Sequence, residues 1–226
     1  MDIKQIAILG AGSMGSGIAQ VSVTSGFSVM MIDVSSEQLQ NASVGMHKSA
    51  EILRVKGRLS DEQCAAVEEI RMEEDVLAAA ESDIVIEAVT ENLELKERIF
   101  ADLDKITRPD VILATNTSSI SISLIAAATQ RPEKVIGMHF FNPVPVMKLV
   151  EIVRGFRTSD QTTATVMELS ALLGKMPVEA KDSPGFISNR ILCPMLNEAT
   201  YALAEGVGTP EAIDTVMKLG MNHPMG

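Results

Sequence analysis

The run VIGMHFF places His139, one of three histidines in 226 residues, between Met138 and Phe140. An imidazole among apolar neighbours must have its ring nitrogens satisfied, and a carboxylate is the partner that makes it chemically useful. Such a carboxylate stands further along, where KLVEIV sets Glu151 among Val150, Ile152 and Val153. The intervening NPVPVM holds two prolines, which exclude a continuous helix and predict a connection between two strands. Those strands would carry His139 and Glu151 side by side. A carboxylate that orients one imidazole nitrogen leaves the other as a general base for a hydroxyl proton. The alternative, a histidine satisfied within a core, is left open by the run alone.

A second chemical motif lies near the start. GAGSMG gives Gly10, Gly12 and Gly15 in GxGxxG spacing, between an apolar run (IAILG) and a segment with helical spacing of Met14, Ile18 and Val21. Gly10 would permit the tight turn, Gly12 the approach of a pyrophosphate to the backbone, and Gly15 the close packing of helix on sheet. The pyrophosphate would meet the N–H groups of a helix start, around Ser13 and Met14. Asp33 ends the next apolar run, at the spacing of an acid that accepts from ribose hydroxyls and repels a 2′-phosphate. VSSEQ beyond it holds no arginine, so NAD is expected rather than NADP. A purely structural glycine turn, with Asp33 as a helix cap, is the competing reading; Ser35 or Ser36 could fill that cap instead.

These residues need elements to hold them. A βαβ unit is expected over 3–33 and a helical excursion over about 36–70, broken at Gly57 and restarted by a cap at Ser60 or Asp61. DIVIEAV, DVILATN and KVIGMHFF alternate with helical patterns at Leu93 to Ile106 and Ile120 to Ala128, which predicts a mostly parallel sheet covered on both faces. KLVEIV and MPVEA extend that sheet at its far edge. KDSPGF marks a boundary near residue 183, and the remainder reads as wholly helical.

The composition narrows the function. A net charge of −11 lacks the clustered cations that nucleic acid demands, while 46% hydrophobic residues suffice for a real core. Two cysteines, Cys64 and Cys193, offer no disulfide framework and imply a reducing compartment. His47 on a polar helix and His223 in MNHPMG lack acidic neighbours at ligand spacing, so no metal is expected. With the first motif beginning by Gly10 and no apolar run of spanning length, neither a leader nor a membrane span is expected, and a cytoplasmic protein is.

GAGSMGSGIAQ, NTSS, MHFFNPVPVMKLVEIV and DSPGFISNRIL stand in the order seen in L-3-hydroxyacyl-CoA dehydrogenases, and the whole chain resembles that family, especially its bacterial 3-hydroxybutyryl-CoA members. The resemblance implies a doubly wound α/β Rossmann-type NAD-binding domain (1–183), then a helical substrate and dimerisation domain (184–226). It implies His139 as catalytic base and Glu151 as its partner, with Ser118 and Asn189 on the substrate's hydroxyl or keto oxygen. Glu91, Lys96, Ser118 and Asn142 match positions lining the cofactor's nicotinamide half. Ser49 and Lys56 match positions that bind CoA, although Ile52 stands where another lysine is common. Each has a plainer alternative: Ser118 as a helix cap, Asn189 as a solvated first-turn residue, Lys96 and Lys56 as exposed charges.

Relatives in this family continue past HPMG with further helices, so the helical domain is expected to be truncated, leaving Leu192, Leu196, Leu203, Val216 and Leu219 in want of partners. An acyl-CoA substrate and a homodimer through the helical domain are implied; a nucleic-acid or membrane partner is not. GAGSMGSGIA also resembles the fingerprint of dehydrogenases of free hydroxy acids, of the 3-hydroxyisobutyrate and 6-phosphogluconate type, whose base is a lysine in another motif. A dinucleotide-binding module without turnover is a further alternative.

Overall fold

The computed structural model describes residues 3–225. The chain divides into one unit that runs to Pro184 and a second that begins at Gly185.

In the first unit, strands β1 (Gln5–Leu9), β2 (Ser28–Ile32), β3 (Arg71–Glu73), β4 (Ile84–Glu87), β5 (Ile112–Thr115), β6 (Val135–Phe140), β7 (Leu149–Arg154) and β8 (Met176–Lys181) form one sheet in the order β3-β2-β1-β4-β5-β6-β7-β8. Every neighbouring pair is parallel except β6–β7, which is antiparallel. The connections carry α1 (Ser13–Thr24), α2 (Ser36–Val55), α3 (Asp61–Ala65), α4 (Leu93–Ile106), α5 (Ile122–Ala127) and α6 (Asp160–Leu172).

Both faces of the sheet are covered, which is why its strands read as continuous apolar runs rather than as alternations. Ile6, Ile8, Ile84, Ile86, Ile136 and Met138 join a core with Ile18, Ala42 and Val166 from the helices. Their neighbours in sequence, Ala7 and Val85, point to the other face and are equally buried, as is Leu113 between Ile112 and Ala114. On that face α5 presses against β6: a Cβ at Gly137 would lie 2.9 Å from Ile122 Cδ1.

Local chemistry sets the helix ends. Ser35 caps α2, accepting from the Gln38 amide. Gly57 then turns the chain at φ +68°, and Ser60 and Gln63 form a reciprocal capping box on α3. The helical excursion thus spans α2, α3 and a 3-10 turn at Ala66–Glu69. Edge strand β3 and the 3-10 turn Val76–Glu81 follow; neither stands out in the sequence.

The second unit holds α7 (Ser188–Ala204) and α8 (Pro210–Thr215), the latter capped by Thr209 and followed by a π-helical turn at Val216–Gly220. No described residue of either helix is buried, and Leu192, Leu196, Leu203, Val216 and Leu219 are exposed.

Candidate active site

In a doubly wound sheet, ligands bind outside the carboxyl ends of the strands, next to the point where strand order reverses. Here β1 and β4 flank that point. Gly10 follows β1 directly, while Glu87 ends β4, Thr115 ends β5 and His139 is the penultimate residue of β6, all at the same edge of parallel strands.

Each glycine of the turn has its own reason. Gly10 adopts φ +106°, and a Cβ there would meet Ala88 O at 2.8 Å. A Cβ on Gly15 would lie 1.8 Å from Gly10 O, so only glycine lets α1 follow the turn this closely. Around Gly12 a Cβ would meet nothing within 4 Å. Gly12 is also the N-cap of α1 and supplies no side-chain cap, so the open space faces a helix start that favours an anion. Asp33 stands beside it, with Oδ2 accepting from the Ala11 amide at 2.8 Å and Oδ1 from the Ser35 amide at 3.0 Å. Ser35, not Asp33, supplies the side-chain cap of α2. Met14 packs against the core behind the turn. The residues therefore fit a dinucleotide: an open glycine cradle, an uncapped helix start and a carboxylate at the end of β2.

A cavity of about 390 Å³ opens from this turn, lined among others by Gly12, Ser13, Gln20, Ser49 and Asn142. Its far wall is the β6–β7 connection, which contains a cis Asn142–Pro143 bond. Val144 from that connection packs so tightly on α1 that a Cβ at Gly17 would lie 2.8 Å from the Val144 Cβ. Lys175 ties the same connection down, donating from Nζ to the carbonyls of Val144 and Met147 at 2.5 and 2.8 Å. Burial pushes the Lys175 ammonium below the ordinary lysine range. The sequence reading missed this residue. Ser49 is half-buried, and Lys56, the C-cap of α2, is exposed.

His139 and Glu151 are direct cross-strand partners in the antiparallel register. The His139 Nδ1 lies 2.8 Å from Glu151 Oε2, with the residues 6% and 1% exposed. A carboxylate can only accept, so Nδ1 carries a proton, and in the neutral ring the lone pair then belongs to Nε2. The Phe141 ring stands 4.7 Å from the imidazole, centroid to centroid. Asn116 locks the neighbouring backbone, its Oδ1 accepting from the Phe140 amide at 2.9 Å.

Ser118 is exposed just beyond β5, and its amide donates to Glu91 Oε1 at 2.9 Å. That oxygen also accepts from Thr117 Oγ1 at 2.5 Å and from Ser119 Oγ at 3.2 Å. Burial alone would raise the Glu91 carboxyl; these donors and the Lys96 charge outweigh it and hold the group below the usual carboxylate range. Lys96 is not an exposed charge. It is 1% exposed and bonded to Glu87 Oε1 at 2.5 Å, with Glu91 Oε2 at 3.6 Å. Glu87, fully buried, is absent from the sequence reading. The signal that could have found the pair is the spacing Lys96, Phe100, Leu103, which places the lysine on the buried stripe of α4. Asn189 lies in the first turn of α7, in the second unit.

Comparison with known proteins gives the family. Residues 5–183 match the family model described as 3-hydroxyacyl-CoA dehydrogenase, NAD binding domain, and residues 185–226 match the C-terminal domain of the same family. A probable 3-hydroxybutyryl-CoA dehydrogenase of Bacillus subtilis is 52% identical over 100% of this chain and 79% of its own length. A 3-hydroxybutyryl-CoA dehydrogenase of Bradyrhizobium diazoefficiens is 46% identical over 99% of this chain and 77% of its own. Among solved structures, the (S)-3-hydroxybutyryl-CoA dehydrogenase of Ralstonia eutropha superposes with a TM-score of 0.97 at 49% identity, covering 100% of this chain and 80% of that one. No helix among the described residues is long and apolar enough to cross a membrane, and no cluster of three metal-ligating side chains occurs among them. A glycine turn shaped for a dinucleotide and matches that run from residue 5 to 226 lead to one conclusion: the chain belongs to the 3-hydroxyacyl-CoA dehydrogenase family, and its first unit is that family's NAD-binding domain.

Proposed function

We propose that the chain transfers a hydride between NAD(H) and C3 of a short 3-hydroxyacyl-CoA or its 3-oxo counterpart, with His139 and Glu151 as the acid–base pair. The observation that carries this reading is the 2.8 Å contact between His139 Nδ1 and Glu151 Oε2 at the carboxyl edge of the sheet that bears the glycine turn. The nicotinamide ring, when bound, supplies the hydride acceptor or donor. In the oxidising direction, His139 Nε2 removes the hydroxyl proton as C3 gives up its hydride, and Glu151 stabilises the imidazolium that forms. In the reducing direction the same imidazolium returns the proton to the oxygen. The Ser118 hydroxyl holds that oxygen, and the family resemblance assigns Asn189 to it as well.

Asp33 takes the adenosine ribose, Ser13 and Met14 offer their amides to the pyrophosphate, and Glu91, Lys96 and Asn142 belong to the nicotinamide half. Lys96 acts there from behind Glu91. Ser49 lines the cavity beside the glycine turn, which supports its role toward CoA, and the exposure of Lys56 supports a role toward a CoA phosphate. The exposed apolar side chains of the second unit support a homodimer.

Acetoacetyl-CoA is expected to oxidise NADH with this protein at a kcat/KM at least about a hundredfold above free acetoacetate, because the CoA contacts contribute binding that the free acid lacks. Equal rates for the two would favour the free hydroxy-acid class instead.

A further inference from the structure

Glu87 takes no part in the proton transfer described above, yet it is fully buried at the end of β4. Its Oε2 accepts from Thr115 Oγ1 at 2.6 Å, and its Oε1 accepts from the Val89 amide at 2.7 Å and from Lys96 Nζ at 2.5 Å. The same ammonium stands 3.6 Å from Glu91 Oε2. Glu91 uses its other oxygen on the turn after β5, where Thr117 Oγ1, the Ser118 amide and Ser119 Oγ all donate to it. One buried cation thus serves two carboxylates unequally.

That inequality has a consequence for Ser118. A lysine 1% exposed keeps its charge only with a counter-ion in contact. With Glu87 in that place, Lys96 asks nothing more of Glu91, which is left to hold the turn. If Glu87 loses its charge, the carboxylate within reach is Glu91. Closing the 3.6 Å gap would draw it off the Ser118 amide.

We propose that Glu87 is a positioning residue of this active site: by holding Lys96 it keeps Glu91 on the Ser118 amide and so fixes the turn that presents the Ser118 hydroxyl. The proposal rests on the reading of Ser118 as the group that holds the substrate oxygen. The relay crosses three elements at the carboxyl edge, from the end of β4 through α4 to the turn after β5.

The test reads the Ser118 amide in isotope-labelled, ligand-free protein, where a proton donated to a carboxylate resonates downfield. Glu87→Gln keeps the size and removes the charge. It is expected to move the Ser118 resonance upfield and to lower kcat with acetoacetyl-CoA about tenfold, since a misplaced oxygen-binding group costs rate at saturation. Adding Lys96→Met removes the cation that competes for Glu91. In the double variant the Ser118 resonance is expected to return toward its wild-type position, a reading that needs no cofactor.

A merely structural Glu87 predicts the opposite, a double variant whose Ser118 resonance stays displaced. That result overturns the proposal, as does an unmoved resonance in Glu87→Gln. Should Glu87→Gln fail to fold, Glu87→Asp, which draws the charge back from Lys96, carries the same pair of readings. Because the resonance needs no ligand, wild-type protein without turnover on acyl-CoA would end the functional reading and still leave the relay to be decided by the resonance.

Discussion

A buried carboxylate and a buried imidazole each cost free energy when alone, and His139 and Glu151 meet so that each offsets the other's desolvation. The pairing also selects the tautomer, because the proton on Nδ1 is the one Glu151 can accept. Glu151→Gln presents an amide whose nitrogen can face Nδ1 and reverse the tautomer, leaving Nε2 protonated and unable to act as a base. Its kcat is expected to fall by about a hundredfold or more, as general-base contributions of this kind require. Steady-state rates at saturating NADH and acetoacetyl-CoA check this, and an undiminished kcat would show that the pair does not work together. Both residues are visible in the sequence, since a lone polar residue in each of two apolar runs announces a partner. The pairing of Glu87 with Lys96 is not visible in the same way. Glu87 interrupts the apolar run DIVIEAV and so announces a partner too, but that partner, Lys96, lies in LELKER among charges that suit a solvated face. Only the spacing to Phe100 and Leu103 betrays it.

At the scale of elements, strands buried on both faces read clearly because each is an unbroken apolar run, and the helices between them carry their own caps. Edge strand β3 escapes notice because Arg71–Glu73 is short and polar. The Thr-rich helix α6 escapes because its buried stripe mixes Thr162, Thr163, Thr165 and Ser170 with only two large apolar residues, Val166 and Leu169. The connection between β6 and β7 is legible as non-helical from its prolines, but not its anchorage by Lys175, a residue remote in sequence whose donors meet carbonyls rather than a carboxylate. Another such anchor is Asp182, which follows β8 and accepts from Ser121 Oγ, the Ile122 amide and the Ser123 amide at the start of α5. Burial alone would raise its carboxyl. The hydroxyls of Ser123 and Ser121 and the two amides outweigh that and hold it below the usual range. A folded-state pKa below the unfolded one gives stability that is present above the unfolded value, near pH 4, and is lost as pH falls through the folded value. Asp182→Asn is therefore expected to lower stability by about 1 kcal/mol at pH 7, a figure discounted for the group's partial exposure. The deficit against wild type should shrink below about pH 4. Thermal melts of both proteins across that range measure it; a deficit independent of pH would rule out the charged cap.

The first unit gathers its chemistry along one edge of its sheet: the glycine turn after β1, the Glu87–Lys96–Glu91 relay after β4, the Ser118 turn after β5 and the imidazole on β6. That arrangement follows from topology, since parallel strands deliver their carboxyl ends to a common side and the loops there are free to vary. The sequence carries the order of these pieces, while their mutual distances emerge only once the sheet has assembled, because no local pattern encodes which strand ends become neighbours. The central claim is that His139 moves the proton and leaves cofactor binding to other residues. Its most direct measurement sets His139→Gln beside the wild type, reading NADH oxidation by acetoacetyl-CoA and NADH affinity by fluorescence titration in the same preparations. The account predicts turnover reduced by about a thousandfold or more with NADH affinity within about threefold of wild type. Turnover that survives the substitution, or NADH binding lost along with it, would contradict it.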